Sequence, residues 1–163
     1  MNQGVHTVDL LVWLFGPVRR VFGKTATRLH AIEVEDTAVA VLEFASGALG
    51  TLEAATSAYP GYGRRIELTG SEGTVRLEGD RLAAIDLRSG VEGDAATDSP
   101  PVSAAATSPV VADVSAHRAV FADFIAAIAR GTAPCCDGPQ GRRSVEVIEA
   151  IYRSSTTSQP VDL

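Results

Sequence analysis

Apolar and polar positions in the first sixteen residues fall into the stripes of a helix. Asn2, His6, Asp9 and Trp13 recur at steps of four, three and four, which at 3.6 residues per turn places them on one narrow stripe. Val5, Val8, Val12 and Phe15 fill an adjoining stripe, and Leu10, Leu11 and Leu14 cover most of what remains. A helix apolar nearly all round is expected to be buried. Its few polar groups then gather on a face that meets partners, a cavity or a ligand. Gly16-Pro17 stops the helix, as an αL cap and a residue that cannot continue it. Its start is uncapped, and Gly4 costs about 1 kcal/mol against alanine. That ragged beginning points to polypeptide upstream of Met1.

After Pro17 the period shortens to two. Val18 to Thr27 reads as a strand, and Leu29 to Glu35 as a connection. Asp36 to Ala45 and Ala48 to Ser57 flank Ser46-Gly47, a two-residue hairpin signal. Arg64 to Thr69 and Thr74 to Glu78 flank a second turn, Gly70 to Gly73, and Leu82 to Arg88 follows as a further strand. Val39, Val41, Ile66, Leu68, Val75 and Leu77 alternate with small or charged residues. That is the pattern of an antiparallel sheet with one buried face and one face wet or in an interface.

Ser89 to Val111 holds almost no large apolar residue and reads as a long flexible surface loop. Asp113 is expected to cap a helix reaching about Arg130, with Val120, Phe121, Phe124, Ile125 and Ile128 on one side and Gly131 as its stop. A last helix runs from roughly Gln140 to Ser155, and Val161 to Leu163 forms a short extended tail. The order predicts a single α+β domain over residues 1–163: an open, mostly antiparallel sheet with helices on one face.

Composition narrows the function classes. The 163 residues are 45% apolar and 21% charged, with a net charge of −6. An acidic chain of this balance argues against nucleic acid or an anionic membrane as partner. No apolar run reaches the ~20 residues of a membrane span. The apolar opening also lacks the basic flank and cleavage site of a signal peptide, so a cytoplasmic protein is expected. Cys135 and Cys136 are the only cysteines. Without Cys or His companions they make no zinc site, and they read as two reduced thiols in a loop.

Two glycine motifs fail on context. Gly23-Lys24-Thr25 lacks the upstream glycine of a phosphate loop and is followed by strand-like sequence. Gly61-Tyr62-Gly63 has Ile66 where a dinucleotide fingerprint needs its third glycine. No such fingerprint occurs in the chain, so no nucleotide-binding unit is expected within it.

His6 is the foremost chemical candidate. Beside Asn2 and Asp9 it is placed to exchange a proton with a substrate hydroxyl. The alternative is a core histidine satisfied by Asp9 three residues on. Tyr59-Pro60-Gly61-Tyr62 reads as a ligand-side loop or as a plain turn. His30 and His117 read as solvated. Arg64-Arg65 and Arg142-Arg143 read as solvated charge or anion contacts.

The run Asn2 to Pro17 resembles the start of the catalytic helix in the glucose–fructose oxidoreductase / inositol dehydrogenase / MocA (Gfo/Idh/MocA) family. Tyr59 to Thr74, Phe124 to Ile128, Gly141 to Ser144, Ala150 to Ser154 and the ending Gln159 to Leu163 agree in order. The resemblance covers the chain except Ser89 to Val111. It implies the C-terminal substrate-binding and dimerisation domain of an NAD- or NADP-dependent oxidoreductase acting on a sugar or polyol. His6 would be the catalytic histidine, and Asn2, Asp9, Tyr59 and Tyr62 would be substrate-binding. Asn2 stands where many members carry an aspartate, which weakens a carboxylate-assisted relay. The family's catalytic lysine belongs to its Rossmann domain, and Lys24, the only lysine, does not match it. The chain alone is therefore expected to be inactive and to bind no cofactor, as a truncated form of the enzyme. It is expected to dimerise through its sheet rather than its two C-terminal helices. The alternative is a non-catalytic oligomerisation or ligand-binding module derived from the same family.

Overall fold

The computed structural model describes residues 4–79, 81–90 and 114–163. In chain order the elements are α1 (Gly4–Phe15), β1 (Val18–Ala26), β2 (Thr37–Phe44), β3 (Leu49–Ala55), β4 (Arg65–Gly70), β5 (Gly73–Glu78), β6 (Arg81–Leu87), α2 (Ser115–Arg130), α3 (Gly138–Thr157) and β7 (Val161–Asp162). The α+β class and the antiparallel pairing agree with the sequence pattern. The strands form two sheets, one of order β3-β2-β1-β7 and one of order β4-β5-β6. The chain divides into two compact units. One holds residues 1–58 and 111–163, the other residues 59–110.

In the first unit the core lies between the four-stranded sheet, α3 and α1. Val21, Leu42, Phe44 and Leu52 from the sheet meet Val147, Ala150 and Ile151 from α3, and Val8 and Val12 from α1. α3 is held against β1 by a close approach. A Cβ on Gly23 would lie 2.9 Å from Ile151 Cγ2, so only glycine leaves room for the helix. The gain from this closeness is polar as well as apolar. β7 pairs with β1 at Arg20 and Val21, and beyond that point α3 takes over. The Gly23 amide donates to Ser154 Oγ at 2.9 Å and the Thr25 amide to Ser155 Oγ at 3.0 Å. Ser154 is fully buried, and its hydroxyl donates a hydrogen bond to Gln159 O at 2.7 Å. Two helix serines thus satisfy strand amides that would otherwise be orphaned.

Several expectations change. The outward and inward sets of β2 are reversed: Ala38, Ala40, Leu42 and Phe44 point to the core, while Val39 and Val41 are about half exposed. The alternation is real, but small residues lie where helices press closest. The turn after β2 spans three residues, not two. Phe44 N bonds Ala48 O, Gly47 N bonds Phe44 O, and Gly47 takes a left-handed φ of 89°. This is a turn with a glycine bulge. α3 starts two residues early because Asp137 caps it, accepting from Gln140 N, with Pro139 in the first turn. α2 ends at Gly131 as expected, but its apolar stripe, Val120, Phe121, Phe124, Ile125 and Ile128, is exposed, and only Ala127 is buried. Asp113 and the expected loop from residue 91 onward lie outside the described residues. No helix among the described residues is long and apolar enough to cross a membrane.

The second unit is the meander β4-β5-β6, in which Ile66 faces Leu77 and Leu68 faces Val75. Ile66 is buried and most other positions are partly exposed.

The connection between β1 and β2 is organised by one carboxylate. Asp36 is only 2% exposed. It accepts from the amides of Arg28, Leu29 and His30 at 2.7 to 3.0 Å and from Thr37 Oγ1 at 3.1 Å. The Leu29 and His30 amides lead in holding this carboxyl far below the usual carboxylate range, against the opposing effect of burial. A carboxyl depressed in the folded state stabilises the protein above its unfolded pKa, near 3.9. That contribution is lost as pH falls below this value. Stability measured by denaturant melts should therefore decline steeply below about pH 4. In Asp36→Asn it should be lower at pH 7 and should decline less with acid. An unchanged acid profile in the variant would show that Asp36 is not the group responsible.

Candidate functional site

α1 is docked, not engulfed. Gly4, Val8 and Val12 are buried, and Phe15 lies on Phe44 with ring centroids 5.1 Å apart. The opposite stripe is open: His6 and Asp9 are exposed and Trp13 is 74% exposed. This corrects the expectation of a helix buried all round. One face is enough to anchor α1 on α3, with Leu11 and Phe15 packed against the core, and Trp13 faces outward from this chain. The polar stripe does stand together on one face, as its spacing requires. Asn2 lies outside the described residues.

His6 is not a core histidine satisfied by Asp9. Its ring is exposed and makes no hydrogen bond among the described residues, leaving both nitrogens available. Asp9 has a different partner. Ser144 Oγ, on α3, donates to Asp9 Oδ1 at 2.7 Å. Ser144 is 2% exposed, so its hydroxyl is a buried donor aimed at an exposed carboxylate. That bond fixes the rotation of α1 about its axis relative to α3, and with it the direction of the His6 stripe. A carboxylate keeps a second oxygen free to accept from a neighbouring imidazole or a ligand hydroxyl.

Tyr59 and Tyr62 precede β4 in the second unit and are 99% and 89% exposed. Their rings are open to a ligand, and no hydrogen bond occupies either hydroxyl among the described residues. Of the arginine pairs, Arg142 is committed to Glu146 at 2.7 Å and Arg65 to Glu67 at 2.6 Å. His30 Nε2 lies 3.3 Å from Thr56 O, and its amide is held by Asp36.

Gly23-Lys24-Thr25 lies inside β1, with its amides facing serines of α3, which excludes a phosphate loop. A nucleotide cradle needs a glycine turn between a strand and a helix N-terminus. Among the described residues no glycine turn joins a strand directly to a helix N-terminus. The described residues also include no group of three His, Cys, Asp or Glu side chains suited to a metal ion. Sequence reasoning missed Ser144 as a partner of Asp9, because the two are 135 positions apart. The signal that was available is a serine in the apolar row that continues through Val147 and Ile151, at a step of three and then four.

Residues 1–76 match the GFO/IDH/MocA C-terminal domain. D-apiose dehydrogenase of Paraburkholderia graminis is 30% identical, over 99% of this chain and 44% of that protein. Myo-inositol 2-dehydrogenase of Thermotoga maritima is 44% identical over 93 residues, 53% of this chain and 28% of that protein. The WlbA dehydrogenase from Bordetella pertussis, solved with NADH and UDP-GlcNAcA, superposes with a TM-score of 0.78 at 31% identity. That match covers 100% of this chain and 44% of the other. The chain spans less than half the length of the curated relatives it matches. It belongs to the Gfo/Idh/MocA oxidoreductase family, and what it carries is that family's C-terminal domain.

Proposed function

We propose that this chain is the substrate-binding and dimerisation part of an NAD- or NADP-dependent oxidoreductase acting on a sugar or polyol, and that it works joined to a nucleotide-binding domain. The observation that carries this reading is the outward stripe of α1. His6 stands exposed and unbonded among the described residues, one turn from an Asp9 carboxylate that Ser144 holds in place. An imidazole with free nitrogens accepts a hydroxyl proton or returns it to a carbonyl oxygen at neutral pH. Asp9 orients that exchange, and Asn2 holds a further hydroxyl of the substrate. The nicotinamide, bound on the other domain, supplies the hydride chemistry. The chain alone, which has no fitting cradle among its described residues, then binds neither cofactor and is inactive. A cytoplasmic location is part of the same reading. The second reading is a non-catalytic ligand-binding or oligomerisation module of the same family.

The two readings separate by experiment. Fused to a nucleotide-binding domain of a relative and supplied with NAD+ and a panel of sugars and polyols, the chain should turn over. His6→Ala in the fusion should lower kcat by about 10²–10⁴-fold with little change in cofactor affinity. Unchanged turnover in that variant would remove His6 from the chemistry. A folded fusion that turns over no substrate would favour the module.

The partner we propose is a second copy of the chain, with no role for nucleic acid or membrane. On the sheet face opposite the helices, Phe22 stands beside Val41 and Lys24 beside Val39. Phe22, Val39, Val41 and Leu49 are all about half exposed or more. Such a face is a candidate for two-fold pairing, which buries the same patch twice. Light scattering at micromolar concentration should give a dimer, and Val41→Glu should give a monomer. A monomeric parent chain would contradict the assignment.

A further inference from the structure

The buried face of α3 carries two serines, one toward each end. Ser144 and Ser154 are 2% and 0% exposed, on a face otherwise made of Val147, Ala150 and Ile151. Burying a hydroxyl is unfavourable unless it is hydrogen-bonded. Both are bonded, but to partners of different kinds. Ser154 Oγ accepts from the buried Gly23 amide at 2.9 Å and donates to Gln159 O at 2.7 Å. Ser144 Oγ instead reaches across to α1 and donates to Asp9 Oδ1 at 2.7 Å, and Asp9 is exposed.

Losing each hydroxyl has different consequences. Without Ser154 Oγ the Gly23 N–H is left buried and unpaired, the costly half of a broken hydrogen bond. Without Ser144 Oγ no buried group is orphaned, because the hydroxyl itself is gone and water takes up the exposed Asp9 carboxylate. Alanine also suits position 144, since it adds nothing polar to the face and is the better helix former. The Ser144 hydroxyl therefore adds little to stability. What it supplies is direction. A hydrogen bond to a carboxylate is short and oriented, and this one fixes an oxygen of Asp9, three residues on from His6 along the open stripe of α1. The other anchors of α1, Val8, Val12 and Phe15, are apolar contacts. Such contacts are non-directional, and they do not set how the carboxylate is turned.

We infer, on the oxidoreductase reading of the α1 stripe, that Ser144 is a positioning residue for the sugar or polyol reaction. It acts through Asp9, whose carboxylate it holds in one orientation beside His6, and it serves turnover while contributing little to the fold. The two serines of α3 thus divide the work: Ser154 closes the structure and Ser144 aims the site.

The test begins with the 163-residue chain. Ser144→Ala should melt within about 3 °C of the parent, and Ser154→Ala well below it. The chain has three histidines, His6, His30 and His117, whose ring signals can be followed separately by NMR. In Ser144→Ala the His6 signals should shift while the other two stay, and in an Asp9→Ala background Ser144→Ala should no longer move them. In the chain fused to a relative's nucleotide-binding domain, Ser144→Ala should lower kcat about 10-fold, short of the roughly 100-fold that an ångström of misplacement can cost. KM for the nicotinamide cofactor should be unchanged, and adding Ser144→Ala to Asp9→Ala should lower kcat no further. A melting loss as large as that of Ser154→Ala, unmoved His6 signals, or parent-like kcat in an active fusion would each overturn the inference. A parent fusion that turns over no substrate would fail the oxidoreductase reading and the turnover claim with it, while the His6 signals still decide whether Ser144 aims Asp9.

Discussion

The seating of α3 on β1 is the constraint on which the first unit depends. Gly23 lets Ile151 approach the strand backbone, and that approach brings Ser154 and Ser155 to the strand's unpaired amides. Neither half works without the other. A side chain at position 23 would push the helix away, and an apolar residue at 154 would leave a buried N–H without a partner, a loss of about 1–3 kcal/mol. Ser154 also ties the turn that delivers β7 to β1. Helix, strand edge and tail are closed by one small-residue contact.

The proposed site on α1 depends on the same helix. α3 carries Ser144 nearly three turns before Ile151's neighbour Ser154, and Ser144 holds Asp9 and so the orientation of α1. His6 faces outward because α1 is pinned on its other side by Val8 and Val12 in the shared core. The catalytic side chain proposed here is thus positioned by packing on a neighbouring helix. No local bond of its own holds it.

Much of the architecture was legible in the sequence because it rests on local signals. Period-two alternation located the strands, Gly16-Pro17 ended α1, and Gly131 ended α2 in a left-handed cap. What escaped depends on neighbours. Hydrophobicity marks residues that avoid water without naming what covers them, so α1 looked buried all round although its His6, Asp9 and Trp13 stripe is exposed. Valine and alanine alternate equally well in either register, and only the closeness of the helices decides that alanines face inward on β2. The Asp9–Ser144 bond joins distant segments and has no local trace. The start of α3 was readable: Asp137 before Pro139 is a capping signature.

The claim that this seating governs α1 is open to direct measurement by native-state hydrogen exchange on Gly23→Ala. Overpacking there should cost about 1–3 kcal/mol. The account predicts that amides of α1 lose protection together with those of residues 23 and 25, while the β2–β3 pairing keeps its own. Full protection of α1 in a variant whose β1 edge has opened would contradict it.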